Sequence, residues 1–245
     1  MRLKSIFLLS LFLASTLFSI NAKADGNTLR RPVTPQSPTW LVHIDTWIWP
    51  DPQKCIDLIP EDIRPYVIMN ISLSVSSFVK DKYPFTIAES WIRTCAENGM
   101  WATIQPSSGA PNNFSDTSLD VYEYFYANYP NFVGWNFCEQ SWGFSSENVL
   151  LEDRIKLFNK LLKLGNDYGG YLIVSYTLTM AAPSYNALAM LKNFPEFAEA
   201  TKTYADNFIA CEKYTTTRGF YDIESTSLGV FLSKHAGNYG IRFDQ

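Results

Sequence analysis

Phe132-Val-Gly-Trp-Asn-Phe137 is an almost unbroken apolar run of strand length, and Glu139 follows it within two residues. Leu151 to Leu164 then repeats apolar residues at helical spacing through Ile155, Phe158, Leu161 and Leu162. A strand apolar on both sides has no face to offer water, so it belongs inside a covered parallel sheet. The helix after it supplies the crossover that parallel strands require.

The same unit recurs in both directions. Upstream, Trp40-Leu-Val-His-Ile-Asp45 precedes a helical stretch near Pro52 to Ile59. Tyr66-Val-Ile-Met-Asn-Ile-Ser72 precedes a helix near Thr86 to Asn98, closed by Gly99, which accepts the left-handed cap conformation. Met100-Trp-Ala-Thr-Ile-Gln105 precedes a helix that opens after Ser115-Asp116. Downstream come the strands Tyr171-Leu-Ile-Val-Ser175, Asn207-Phe-Ile-Ala-Cys-Glu212 and Tyr239-Gly-Ile-Arg-Phe-Asp244, with helices at Pro195 to Tyr204 and Ile223 to His235. Seven alternations predict an α/β fold, a (β/α)8 TIM-type barrel whose eighth unit is missing. No GxGxxG or GxxxxGK follows the first strand, which tells against a nucleotide-binding open sheet.

The N-terminus predicts export. Arg2 and Lys4 precede an apolar stretch from Ile6 to Phe18, and Ala22-Lys23-Ala24 has the small-x-small form of a signal-peptidase site. Residues 1–24 thus read as a signal peptide, 25–38 as a polar, Pro-rich linker and 39–245 as the barrel domain. The apolar stretch is shorter than the roughly 20 residues of a membrane span, and no later stretch is apolar enough. The mature chain is expected at the cell surface, in the periplasm or outside the cell. Of 245 residues, about 220 remain after cleavage, slightly short of the roughly 250 a complete barrel uses.

A net charge of −4 offers no basic face, so nucleic acid is not an expected partner. Two histidines and no HExxH leave no zinc pattern, and no cofactor or metal is expected. The four cysteines include no CxxC pair. A bridge such as Cys55 to Cys95 is open to an exported chain, but the strand-like runs around Cys138 and Cys211 favour buried thiols. Oligomeric state is not legible.

Chemistry concentrates at the C-terminal strand ends, where barrel enzymes place their sites. His43 and Asp45, Asn70 and Ser72, Gln105, Asn136 and Glu139, Ser175 and Tyr176, Glu212, and Arg242 and Asp244 all fall there. Residues two apart share a strand face, so His43 with Asp45 and Arg242 with Asp244 point together. Sugar hydrolysis needs one protonated and one ionised carboxyl group. Glu139 is the candidate acid, because its aromatic and thiol neighbours favour the uncharged form. Asp244 and Glu212 are candidates for the ionised partner, with Arg242 beside Asp244. Glu224, in Asp222-Ile-Glu-Ser225, reads instead as first-turn stabilisation of a helix.

Aromatic residues crowd the same loops: Trp47, Trp49, Trp142, Tyr176 and Tyr214. Their flat faces suit the apolar faces of sugar rings, while His43, Asp45, Asn70, Gln105, Asn136 and Arg242 can bind hydroxyls. Trp101 and Trp135, by alternation, are expected under helices.

Several longer motifs, in order, resemble the catalytic domain of glycoside hydrolase family 98. They are Trp40-Leu-Val-His-Ile-Asp-Thr46, Leu58-Ile-Pro-Glu-Asp-Ile-Arg-Pro65, Ile104-Gln-Pro-Ser-Ser108, Cys138-Glu-Gln-Ser-Trp-Gly-Phe144, Cys211-Glu-Lys-Tyr214 and Tyr239-Gly-Ile-Arg-Phe-Asp244. The resemblance implies a (β/α)8 barrel and an inverting endo-β-1,4-galactosidase acting on blood-group-type glycans. It also implies that Glu139 matches the acid and Asp244 a base-side carboxylate. Such enzymes continue past this point with the end of the barrel and a β-rich domain. The alternative is a glycan-binding remnant without turnover.

Overall fold

The computed structural model describes residues 28–73, 78–106, 117–139, 151–177, 187–214 and 223–243. Seven strands alternate with helices along the chain. The strands are β1 (Trp40–Asp45), β2 (Val67–Ser72), β3 (Trp101–Gln105), β4 (Phe132–Cys138), β5 (Tyr171–Thr177), β6 (Phe208–Tyr214) and β7 (Asn238–Phe243). Between them lie α1 (Pro52–Ile56), α2 (Tyr83–Glu97), α3 (Leu119–Asn128), α4 (Leu151–Tyr168), α5 (Ala187–Asn193), α6 (Pro195–Thr203) and α7 (Ile223–Leu232). All pairs are parallel, and the strand order in the sheet equals the order in sequence. That is the wall of a (β/α)8 barrel, with β1 and β7 as its edges among the described residues.

The alternations expected from sequence match these elements in order and type, with differences at their ends: α2 begins at Tyr83 and not near Thr86, and α7 stops at Leu232 and not at His235. α1 stops at Ile56, because Asp57 is its C-cap. A further short helix, α5, precedes α6 and packs against both α6 and α7.

Two apolar layers hold the wall. The larger lies between sheet and helices, where Met69, Ile71, Ile104, Trp135, Phe137, Leu172 and Val174 meet Trp91, Ile92, Phe125, Phe158 and Leu161. The smaller lines the concave face and contains Ile68, Val133, Tyr171, Ile173 and Cys211. A β-bulge in β4 serves both layers. Ala102 pairs with Phe132 but Thr103 pairs with Gly134, so Val133 is the extra residue. The bulge lets Phe132 and Trp135 both face the helices although they are three positions apart, a spacing that would put them on opposite faces of a regular strand. Gly134 is required next to it, since a Cβ there would lie 2.3 Å from the Tyr171 carbonyl oxygen. Trp135 lies under helices as expected, but Trp101 does not. It packs with Leu29, Val33 and Leu41 in the concave cluster, because its register partner Ile68 faces that way.

The segment read as a linker is, from residue 28 onward, part of the fold. Leu29 and Val33 pack into the concave cluster, and the Tyr171 hydroxyl donates to the Arg31 carbonyl at 2.7 Å. Arg30 caps two helices at once. Its guanidinium donates to the carbonyls of Tyr126 and Tyr129 at the end of α3, Tyr168 at the end of α4, and Phe132. Polarity alone made this stretch look like a linker, and long-range partners for its arginines overrode that reading.

None of the four cysteines is in a disulfide, and all four are buried. Among the described residues no helix is long and apolar enough to cross a membrane. No group of three His, Cys, Asp or Glu there could hold a metal ion. Residues 1–24 lie outside the described residues.

Candidate active site

Alternation along β1 turns His43 and Asp45 to the concave face, opposite Val42 and Ile44, which pack on the helix side. His43 Nε2 stands 3.3 Å from Asp45 Oδ1, and His43 Nδ1 stands 2.9 Å from Asn70 Nδ2. The Asn70 amide can only donate through that nitrogen, which assigns the imidazole proton to Nε2, directed at Asp45. Asn70 is itself oriented. Its Oδ1 accepts from Thr103 Oγ1 at 3.1 Å, and its Nδ2 also donates to Gln105 Oε1 at 3.3 Å. Gln105 Nε2 in turn donates to Ser72 Oγ at 3.4 Å. The polar ends of β1, β2 and β3 thus form one buried ladder. On the far side, Ser175 Oγ donates to Asn136 Oδ1 at 3.1 Å.

Glu139 leaves the end of β4 in the left-handed region, at φ 57°, a conformation a non-glycine residue adopts only when its surroundings hold it there. The hold is visible: its N–H donates to the Ser175 carbonyl at 2.9 Å, and its Oε1 is in ion-pair contact with Lys213 Nζ. Both side chains are nearly enclosed, 12 % and 10 % exposed respectively. Sequence suggested apolar and thiol neighbours for Glu139. The structure puts a cation against it.

Glu139, Lys213, His43, Asp45, Asn70 and Ser175 line one cleft of about 1150 Å³. Leu41, Ile68, Ile173 and Ile209 form its apolar floor, Trp47 stands exposed on its rim beyond the C-terminal end of β1, and Trp40 lies exposed at the opposite end of that strand. β7 contributes Asn238 to Ile241 along the other edge. A charged upper layer over an apolar floor, with the flat face of Trp47 at the mouth, fits an oligosaccharide's alternating hydroxyls and ring faces.

Not every expected residue reaches this cleft. Gln105 and Asn136 are buried in the polar layer behind it, while Trp49 is exposed outside it. Trp142 and Asp244 lie outside the described residues, and for Tyr214 and Arg242 only the strand backbone is described.

Two expectations are corrected. Tyr176 and Glu212 are register partners on the opposite face of the sheet, both buried on the helix side with Val174 and Ala210. Cys211 and Lys213 face the cleft instead. The residue missed from sequence is therefore Lys213. The signal was strand alternation: once Cys211 is inward, Lys213 must be inward and Glu212 outward.

The buried Glu212 has a measurable consequence. Neither carboxyl oxygen has a hydrogen-bond partner, and burial pushes its pKa up from 4.5 to about 8. Between those values the folded chain holds a proton that the unfolded chain has released. Stability is then fully present below about pH 4.5 and is lost as pH rises through about 8, at up to roughly 1.4 kcal/mol per pH unit. In Glu212→Gln, urea midpoints measured from pH 5 to pH 8.5 are expected to lose this part of their decline. An unchanged slope would show that another group carries it.

The family profile of glycosyl hydrolase family 98 matches residues 27–245. Among solved structures, the native catalytic module of a family 98 glycoside hydrolase from Streptococcus pneumoniae aligns with a TM-score of 0.68 at 18% identity. The alignment covers 87% of this chain and 38% of that one. The same module in complex with the H-disaccharide blood group antigen aligns with the same values. In complex with the Lewis Y pentasaccharide antigen it aligns with a TM-score of 0.67 at 18% identity, with the same coverage. A cellulase aligns with a TM-score of 0.56 at 14% identity, covering 84% of this chain and 66% of that one. At these identities the structural likeness establishes the barrel fold alone. A search of curated proteins found no match. This chain spans 38% of the length of the pneumococcal modules. With the profile matched across nearly all of it, the chain belongs to glycosyl hydrolase family 98.

Proposed function

We propose that this chain carries the acid side of an exported, endo-acting glycoside hydrolase that cleaves β-1,4-linked galactosides of blood-group-type glycans with inversion. The observation that supports it most is the placement of Glu139. It sits at the end of β4, nearly enclosed, in a cleft of oligosaccharide size with Trp47 exposed on its rim. Family membership and the H-disaccharide and Lewis Y complexes of the pneumococcal relative point to the substrate class.

In this mechanism Glu139 protonates the glycosidic oxygen as the bond to the anomeric carbon breaks. The Asp244 carboxylate takes a proton from the water that attacks the opposite face of the ring. His43, Asp45 and Asn70 bind sugar hydroxyls, and Trp47 stacks on a ring face. Residues 1–24 direct the chain out of the cytoplasm.

Proton NMR of a hydrolysis started with H-type or Lewis Y oligosaccharide tests the reading. The first-formed hemiacetal is expected to carry the α configuration before mutarotation. A β product would replace inversion with retention, and binding without cleavage would indicate a glycan-binding remnant.

A further inference from the structure

We propose that Lys213 is a positioning residue for the acid. It holds Oε1 of Glu139, which leaves Oε2 to carry the proton, and it stabilises the carboxylate that forms when that proton departs. The inference rests on the assignment of Glu139 as the acid.

The geometry makes the pairing a built feature. Glu139 follows β4 and Lys213 lies on β6, with β5 between them. Strands two apart are roughly 10 Å apart, so only a long, extended side chain spans the gap. The strand between them supplies the Ser175 carbonyl that holds the Glu139 N–H. Both partners line the cleft and are about nine-tenths buried, so solvent does little to weaken the pair. An ammonium group donates three hydrogen bonds and accepts none. Of the two oxygens of a protonated carboxyl group, the carbonyl oxygen is the better acceptor, so it is the one the ammonium takes. With Oε1 so occupied, the acidic proton belongs on Oε2.

The consequence falls on the transition state. The proton passes from Glu139 Oε2 to the glycosidic oxygen, which also receives the electron pair of the breaking bond to carbon. A water oxygen forms the new bond to that carbon and gives its proton to the base-side carboxylate. Glu139 becomes anionic as this occurs, next to a fixed cation. That stabilisation is greater in the transition state than in the ground state, so it acts on kcat.

Lys213→Met, Lys213→Arg and Glu139→Gln/Lys213→Met, each tested on two substrates, address this. One substrate is an H-type oligosaccharide. The other is a 2,4-dinitrophenyl glycoside of the same sugars, whose leaving group needs no acid. On the oligosaccharide, K213M is expected to lose about 100-fold in kcat with KM little changed, and K213R to recover most of the loss. On the dinitrophenyl glycoside the K213M loss is expected to shrink to a few-fold. The double variant is expected to be no slower than E139Q alone. A loss confined to KM, an equal loss on both substrates, or an additive double variant would overturn the role. Should K213M not fold, K213R and K213Q carry the same comparison. A wild-type chain without turnover would sink the functional reading and this inference with it, whereas a fully active K213M would sink this inference alone.

Discussion

Glu139→Gln is expected to lower kcat on an H-type oligosaccharide by roughly a thousandfold while leaving its dissociation constant within a few-fold of wild type. The amide has nearly the shape of the carboxyl group, and its oxygen can still accept from Lys213. What it lacks is an acidic proton. The left-handed backbone at Glu139 and its hydrogen bond to Ser175 involve only main-chain atoms, so the substitution leaves them in place. Calorimetry with the oligosaccharide and a reducing-end assay together read both quantities. Retained turnover in E139Q would remove Glu139 from the chemistry.

The second large effect is on stability. Arg30→Met is expected to cost about 2–3 kcal/mol in urea denaturation, because removing the part-buried guanidinium leaves the four carbonyls it serves without that donor. The guanidinium donates at 2.7 Å to both Tyr126 and Tyr168, and at 3.0 and 3.1 Å to Tyr129 and Phe132. It also sits near the stacked rings of Tyr126 and Tyr168, 5.6 and 5.9 Å from their centroids. The last carbonyls of a helix have no partner within it and carry its negative dipole end. Here one cation serves that need for both α3 and α4. Methionine would fill some of the space and satisfy none of the carbonyls. Arg30→Lys, with the charge but not the planar fork, is expected to fall between. A midpoint unchanged in R30M would mean that water replaces the guanidinium at little cost.

How far sequence carried differs between strands and partners. The strand Trp40–Asp45 was legible to the residue although it is a half-buried edge strand, because a short apolar run between Pro38 and the polar Asp45-Thr46 has few alternative readings. α2 was legible at its C-terminus, where Gly99 takes φ 69°. The polar strand ends were legible as a set, and His43, Asp45, Asn70 and Glu139 do converge on one cleft. Which face each residue joins was less legible wherever every position in a strand is compatible with burial. In β6 both Glu212 and Lys213 are polar, and composition cannot say which one the helices cover. Arg30 was invisible for another reason. Its partners lie 96 to 138 residues away, and polarity near a proline-rich segment looks the same whether the segment is free or docked.

Sequence alone thus determined the alternation of strand and helix, the parallel sheet it implies, and the gathering of polar residues at the C-terminal strand ends. These follow from local periodicity and from the chain's need to bury apolar surface. Only the tertiary structure decided that Glu139 meets Lys213, that Glu212 is buried away from the cleft, and that Arg30 ties α3 to α4. Those are pairings between distant segments, and their partners are selected by strand register and a single bulge, which the one-dimensional pattern does not encode locally.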